Sequence, residues 1–297
     1  MKIVVFYYSQ SGQAYNVAKN LFKTLNAIIV FKEIVPLHDY PFPWDKETFF
    51  DIFPETRLGL PPSGISPIDF SDIKDVDIVT IVGQSWFLSP SLPLQSFFSD
   101  EEVRLFLYGR KVVFVNACRN MWLMTFRRIK DILNENHSEL IGHIVLQDHS
   151  PNLISAFTIV QWLLHGKKRV APCLPYAGIS EKDIKVVYKF GETIVNFYKT
   201  RKIKDLQEEI ENKGGIKYKP YIIFLEKIGF RVFGVWARFI RKKGEMGDSH
   251  RIFRVKLFYA YLIIALFFVS PVVQFFFYLT YPFHNVKANW KVDCAIK

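Results

Sequence analysis

Residues able to do chemistry appear almost at the start of the chain. A greasy run, Lys2-Ile3-Val4-Val5-Phe6-Tyr7-Tyr8, stops at Ser9-Gln10-Ser11-Gly12-Gln13, and helical spacing begins at Ala14. A turn that leaves a buried strand and enters a helix gathers backbone amides, hydroxyls and the helix amino terminus into one concave donor site. The unpaired amides and the helix dipole both favour negative charge, so the ligand chemistry is phosphate. Gly12 permits a backbone conformation that a side chain obstructs. One glycine is not the dinucleotide fingerprint, and the lysine of a nucleoside-triphosphate loop is missing. What remains is a terminal phosphate monoester.

Two later loops carry aromatic and polar side chains after apolar runs. The first is Gly83-Gln84-Ser85-Trp86-Phe87-Leu88-Ser89-Pro90, the second Asn116-Ala117-Cys118-Arg119-Asn120-Met121-Trp122. The planes of Trp86 and Phe87 suit stacking on a flat ligand, although Trp86 and Trp122 also suit plain core packing. Asp148 and His149 end a further apolar run and are the first candidates for proton transfer, since an imidazole titrates near neutral. His38 and Asp39 come second. The plainer reading makes Asp148 a helix cap and His149 a surface residue, and places His143 in the core as a satisfied histidine. Cys118, Cys173 and Cys294 are widely spaced and odd in number. That pattern suits a reducing compartment and shows no disulfide framework or zinc site, so no metal is expected. Cys118 reads as a small buried filler.

The elements that must position these residues follow from periodicity. Continuous β-branched and aromatic runs predict five buried parallel strands at 3–8, 27–35, 77–83, 111–117 and 140–147. Helical patterns at 14–25, 91–98, 124–136 and 181–199 alternate with them. The expected fold class is α/β, a doubly wound five-stranded parallel sheet whose ligands bind at the carboxyl ends of the strands. The first 198 residues form this domain. An insertion at 36–67, rich in proline and aromatics with a short helix around 45–53, is long enough to act as a lid.

Charge is distributed unevenly. Residues 199–256 hold 16 basic and 7 acidic side chains, most of the net charge of +11. Such a block suits nucleic acid or an anionic membrane surface. The following run, 257–283, contains no charge, which selects the bilayer and excludes nucleic acid as the partner. Residues 199–256 read as a basic, amphipathic helical linker, with 199–213 solvated and 218–240 lying in the membrane interface. Residues 257–283 are a transmembrane segment or, because of Pro271, a re-entrant one; 284–297 form a tail. Arg241, Lys242, Lys243, Arg251, Arg254 and Lys256 precede the run while Lys287, Lys291 and Lys297 follow it. That bias puts the protein at the cell membrane with its sheet domain on the cytoplasmic side. Strand-type residues follow Lys2 at once, so no signal peptide is expected ahead of them.

Ser9 to Ala14 resembles the phosphate loop of flavodoxin-like proteins, Ser/Thr-x-Thr-Gly-x-Thr behind the first strand. The resemblance implies FMN, with its phosphate held by Ser9, Ser11, Gly12, Gln13 and Asn16; Ala14 departs from the pattern by lacking a hydroxyl. It also implies that the two later loops border the flavin ring, through Gln84, Ser85, Trp86 and Phe87 on one side and Asn116, Ala117, Cys118, Arg119, Asn120 and Trp122 on the other. Arg119 would then stabilise charge on the reduced ring. More narrowly, YYSQSGQ, PFPWDKETFFDIFPE, WFLSPSLPLQSF and ACRNMW resemble the dialkylresorcinol-condensing enzymes, or aromatases, over about the first 200 residues. That family implies a ketosynthase partner that joins two acyl chains into a cyclohexanedione, and a flavoprotein that oxidises the ring to a resorcinol. The expected activity is thus a membrane-associated flavin-dependent oxidoreductase on a lipophilic small molecule, with NAD(P)H as a candidate second cofactor. The competing expectations are electron transfer to a membrane partner and a flavin-free scaffold for the ketosynthase. The basic charge and the long insertion count against an acidic, short electron carrier.

Overall fold

The computed structural model describes residues 1–280. The strands are β1 (Lys2–Tyr7), β2 (Ile28–Glu33), β3 (Ile78–Trp86), the two-residue β4 (Ser89–Pro90), β5 (Lys111–Cys118) and β6 (Glu139–Gln147). Between them run helices α1 (Gln13–Leu21), α2 (Lys46–Asp51), α3 (Phe53–Leu58), α4 (Leu92–Ser99), α5 (Glu101–Leu107) and α6 (Leu123–Glu135). After β6 come α7 (Asn152–His165), α8 (Glu181–Val186), α9 (Tyr188–Lys199), α10 (Leu206–Asn212), α11 (Pro220–Arg241), α12 (Ile252–Ile264) and α13 (Ser270–Thr280).

The parallel strands run in the order β2-β1-β3-β5-β6, while β4 pairs antiparallel with β3. Without β4 this is the 2-1-3-4-5 order of a flavodoxin-like sheet. Two apolar layers cover it. Phe6, Val79, Ile81 and Phe114 face α4, α5 and α6 on one side; Ile3, Val5, Val113 and Ile144 face α1, α9 and α10 on the other. The expected five strands are therefore present with boundaries shifted by at most three residues. β2 differs in burial, because it is the sheet edge: Ile28 is 63% and Phe31 40% exposed. His143 is fully buried between Phe114 and Phe126, but neither ring nitrogen has a partner, and burial lowers its pKa to about 3. It is a core histidine, not a satisfied one.

Within residues 199–256 the chain forms helices that pack on the sheet domain. Leu206 and Ile210 of α10 are fully buried against β6, where Gly142 leaves room for them. α11 lies on α3 and α6. Arg57 of α3 donates from Nε and a terminal nitrogen to the Phe230 carbonyl, at 3.0 and 2.7 Å, and stacks on that phenyl ring at 3.3 Å. The insertion is fastened to these helices. Phe53 stacks on Phe258 of α12 at 3.7 Å, and the fully buried Arg251 donates to Asp51 at 2.6 Å and to both oxygens of Glu55 at 2.7 and 3.0 Å.

One helical path, 249–280, is long and apolar enough to cross a membrane, and only 11% of its most apolar stretch is buried. Pro271 does not turn the chain back within the described residues. A π-helical turn at Ala265–Val269 precedes it and absorbs the missing amide, so the helix continues to Thr280. The last three residues of the expected 257–283 segment, the 284–297 tail and Cys294 lie outside the described residues.

Candidate active site

A cleft of about 220 Å³ opens at the carboxyl ends of β1, β3 and β5. It brings together Ser11 and Gln13 of the first loop, Gln84, Ser85, Trp86 and Phe87 of the second, and Ala117, Cys118 and Arg119 of the third. These are the places where a doubly wound sheet collects a ligand.

At the phosphate end, Gly12 adopts φ +82° and has nothing within 4 Å of where a Cβ would stand. Helix α1 begins there without a side-chain cap. The Ser9 hydroxyl accepts from the Tyr15 amide at 3.0 Å, closing the turn. The amides of residues 11–14 have no acceptor among the described residues, so the turn presents open donors at a positive helix end. The Gln13 side chain is committed elsewhere: it donates to the Ile179 carbonyl at 2.9 Å and accepts from that residue's amide at 3.2 Å. Only its backbone remains for a phosphate. Ala14 is fully buried in the core and Asn16 sits exposed on α1.

The ring end is assembled from distant segments. β3 and β4 form a hairpin whose two turn residues, Phe87 and Leu88, both take positive φ, 46° and 63°. A two-residue turn of that type normally carries Asn-Gly, and bulky residues there hold strain of about 1–3 kcal/mol each. The turn aims Phe87 at Phe49, Phe50 and Phe53 of the insertion. Trp86 meets Tyr8, Tyr40 and Trp44 edge-on at 5.5–5.9 Å, and its indole N–H donates to Gln84 Oε1 at 3.1 Å. Asn116 is fully buried; its Oδ1 accepts from the Ser85 hydroxyl at 3.0 Å, and its Nδ2 has no partner. Asn120 donates to Asn152 at 2.8 Å and keeps an unpaired Oδ1. Trp122 is a core residue, 2% exposed.

Among the described residues, Arg119 is the one charged side chain lining the cleft. It donates to the Asn152 carbonyl and Oδ1 at 3.0 and 2.9 Å. Burial lowers its pKa to about 10, with Asp148 opposing, so the guanidinium keeps its charge at neutral pH. Burial pushes the Cys118 thiol well up, so no thiolate faces the cleft.

Neither expected proton-transfer residue lies on the cleft. Asp148 sits behind Arg119, 2% exposed, accepting from the Ser150 amide at 2.8 Å and the Ser155 hydroxyl at 2.7 Å. It braces the turn into α7 through these two bonds, while the helix's own N-cap position, Pro151, supplies no side-chain cap. His149 Nε2 is 3.2 Å from Asp183 in a separate depression beside α8 and α9.

Several lining residues were not among the expected site residues. Trp44 and Phe49 come from the insertion and Ile159, Trp162 and Leu163 from α7. The Gln10 side chain fastens the insertion to the first loop through the Tyr40 and Pro41 carbonyls, at 3.2 and 3.0 Å. The least expected is Glu226 of α11. Its carboxylate accepts from the Trp122 and Met124 amides at 3.2 and 2.8 Å, and so caps α6 from another helix. Burial, partly offset by those amides, raises its pKa to about 7.

No family model and no curated protein matches this chain. Among solved structures it is similar to a flavodoxin, WrbA-like protein from Agrobacterium tumefaciens, at 10% identity over 67% of this chain and 98% of that one, with a TM-score of 0.40. It is similar to a flavoprotein in complex with FMN from Lactobacillus acidophilus NCFM, at 19% identity over 50% and 93% of the two chains, TM-score 0.36. It is also similar to an azoreductase from Bacillus anthracis, at 13% identity over 64% and 100%, TM-score 0.33. The order of the strands, rather than these distant likenesses, makes the fold flavodoxin-like.

Proposed function

We propose that this protein is an FMN-dependent oxidoreductase that works at a membrane surface on a lipophilic ring compound, and that its substrate is a dialkylcyclohexanedione aromatised to a dialkylresorcinol. The observation that carries the reading is the juxtaposition at one sheet edge of an open-amide turn, an aromatic wall and a partly buried guanidinium. The residues fit the group. The amides of residues 11–14 take the phosphate, Gly12 leaves its approach clear, and the unpaired Asn116 Nδ2 lies beside the ring end. The enclosed volume is below the roughly 300–1,000 Å³ of small-molecule pockets, so part of the mononucleotide lies at the open mouth.

When bound, the flavin supplies the two-electron acceptor that aromatisation needs. The chain does the rest. Trp86 and Phe87 border the flat ligand and keep water from it. A 1,3-dione is already acidic at its central carbon, and the charged Arg119 favours its enolate form. Aromatisation removes a hydride and one further ring proton beside a carbonyl; with no carboxylate or imidazole among the described lining residues, that proton passes to water at the open mouth. The alkyl chains favour a site beside lipid by about 0.8 kcal/mol per buried CH₂. We place the sheet domain on the cytoplasmic side.

The test is to purify the full chain in detergent, titrate FMN, and record the flavin spectrum. Saturable, near-stoichiometric uptake supports the reading. No uptake leaves a flavin-free scaffold. Resorcinol formation from a dialkylcyclohexanedione by the FMN-loaded protein then identifies the substrate class.

A further inference from the structure

We infer that the C-terminal helices lie in a single leaflet, with the active-site edge of the sheet resting on it, and that the apolar helix 249–280 does not cross the bilayer. The inference rests on the membrane reading above and concerns the mode of attachment.

Both ends of the apolar helix are fastened to the sheet domain. Near its start, Val255 and Phe258 pack with Phe50 and Phe53 of the insertion and with Ala237 and Ile240 of α11. Near its end, Val273 and Phe277 pack with Tyr221, Ile222 and Met121, and Met121 belongs to the loop after β5. The Tyr221 hydroxyl bonds the Ser270 carbonyl at 2.7 Å, and Tyr221, Ser270 and Phe277 are each 5% exposed or less. Phe258 and Phe277 are separated by 19 residues, or roughly 28 Å of helix. That nearly equals a hydrocarbon core of about 30 Å. Were the helix to cross, the loop after β5 would sit at one face of the bilayer and the insertion at the other, with the sheet domain sunk between them. A helix lying along one leaflet meets both contacts without that cost.

The outward surface fits a leaflet. On α11 the exposed positions are Phe224, Ile228, Arg231, Val235, Arg238 and Phe239, one stripe at helical spacing that mixes apolar and cationic side chains. On the apolar helix Phe253 (71% exposed) and Lys256 point outward near the start, and beyond Lys256 the outward residues are uncharged, among them Phe268 (69%) and Phe275 (65%). Apolar residues flanked by cations suit an anionic headgroup layer over acyl chains. The same helical layer touches all three loops that build the ring end of the cleft. Leu88 packs into the space left by Gly229, Glu226 caps α6 behind the loop after β5, and Phe53 stacks on Phe258. The cleft edge therefore faces the lipid.

Single labelling sites separate the two modes. In the Cys173→Ser, Cys294→Ser chain, where Cys118 is buried, Phe253→Cys, Phe268→Cys or Leu279→Cys carries an NBD fluorophore; a fourth sample carries it on native Cys173, which is exposed on the domain. Each is reconstituted into sealed vesicles containing anionic phospholipid, and impermeant dithionite is added outside. One-leaflet attachment predicts that all three helix labels bleach in the same fraction as the Cys173 label. A crossing helix predicts that the label at position 279 bleaches in the complementary fraction, and that result overturns the inference. Failure of the protein to float with vesicles would instead remove the membrane reading itself. A soluble dimer that shields all three labels would assign the surface to a second copy and also overturn the inference.

Discussion

The two ends of the cleft are built in opposite ways. The phosphate end is six consecutive residues, Ser9 to Ala14, whose donors come from the backbone and from one helix start. The ring end is Trp44 and Phe49, Trp86 and Phe87, Arg119, and Trp162, drawn from four separate stretches. They are held in place by residues that never touch the cleft: Arg251 locks the insertion, Leu88 rests on Gly229, and Glu226 caps α6. A local site can fail only locally. A convergent site can fail at any of its supports, some far along the chain.

That contrast can be broken first at the phosphate end. Gly12→Val forces a β-branched residue to φ +82° and crowds the open amides. FMN affinity should fall roughly 100-fold by titration with the fold intact by circular dichroism. Retained affinity would move the phosphate elsewhere. Next in size is Arg251→Met, which leaves Asp51 without its cation and the buried Glu55 with the more distant Arg241, at 3.6 Å. Chemical denaturation in detergent should show a loss of about 3–5 kcal/mol. An unchanged midpoint would mean that the insertion is held by its aromatic contacts alone. Arg119→Met should leave FMN content nearly intact while lowering dione turnover roughly 100–1,000-fold, as loss of one electrostatic stabiliser does; equal loss of binding and turnover would assign Arg119 to cofactor retention.

Glu226 sharpens the comparison through pH. Its folded pKa, about 7, lies above the usual glutamate value, so the folded state binds more protons than the unfolded chain between about 4.5 and 7. The stability from this group is full below that window and is lost as pH rises through it. Glu226→Gln removes the titration, so the difference in melting temperature between wild type and variant should change steadily across the window; parallel curves would show that the carboxyl does not titrate there. The smallest effect is expected at His149, which is 40% exposed and paired with Asp183 away from the cleft. His149→Ala should change stability by no more than about 0.5 kcal/mol and leave turnover unchanged. A tenfold slower enzyme would restore His149 as a proton acceptor.

What could be read in advance follows the same division. Strands of period-independent apolar character and a serine-glycine turn are local signals, and β1, β3, β5, β6 and the first loop came out where those signals lie. The hairpin turn at Phe87-Leu88 carries none of the Asn or Gly that announces such a turn, because tertiary packing, not turn chemistry, holds it there. Asp148 and His149 were read correctly as residues at a strand's carboxyl end, but the chain turns them behind Arg119 and toward α8, a choice periodicity does not encode. The helix at 218–240 was legible as amphipathic, yet its inner face includes Glu226, whose partners lie 102 and 104 residues away. Long-range pairing of that kind leaves no mark on local sequence.

The cap from Glu226 sets an order of events during synthesis. Helix α6 ends at residue 135, whereas α11 begins at residue 220. At about 5–20 residues per second, the ribosome delivers that carboxylate several seconds or more after the first turn of α6 has emerged. Until then the amides of Trp122 and Met124 depend on water. The ring end therefore reaches its finished shape only once most of the last third of the chain has been translated, and any ligand that needs that shape binds afterwards.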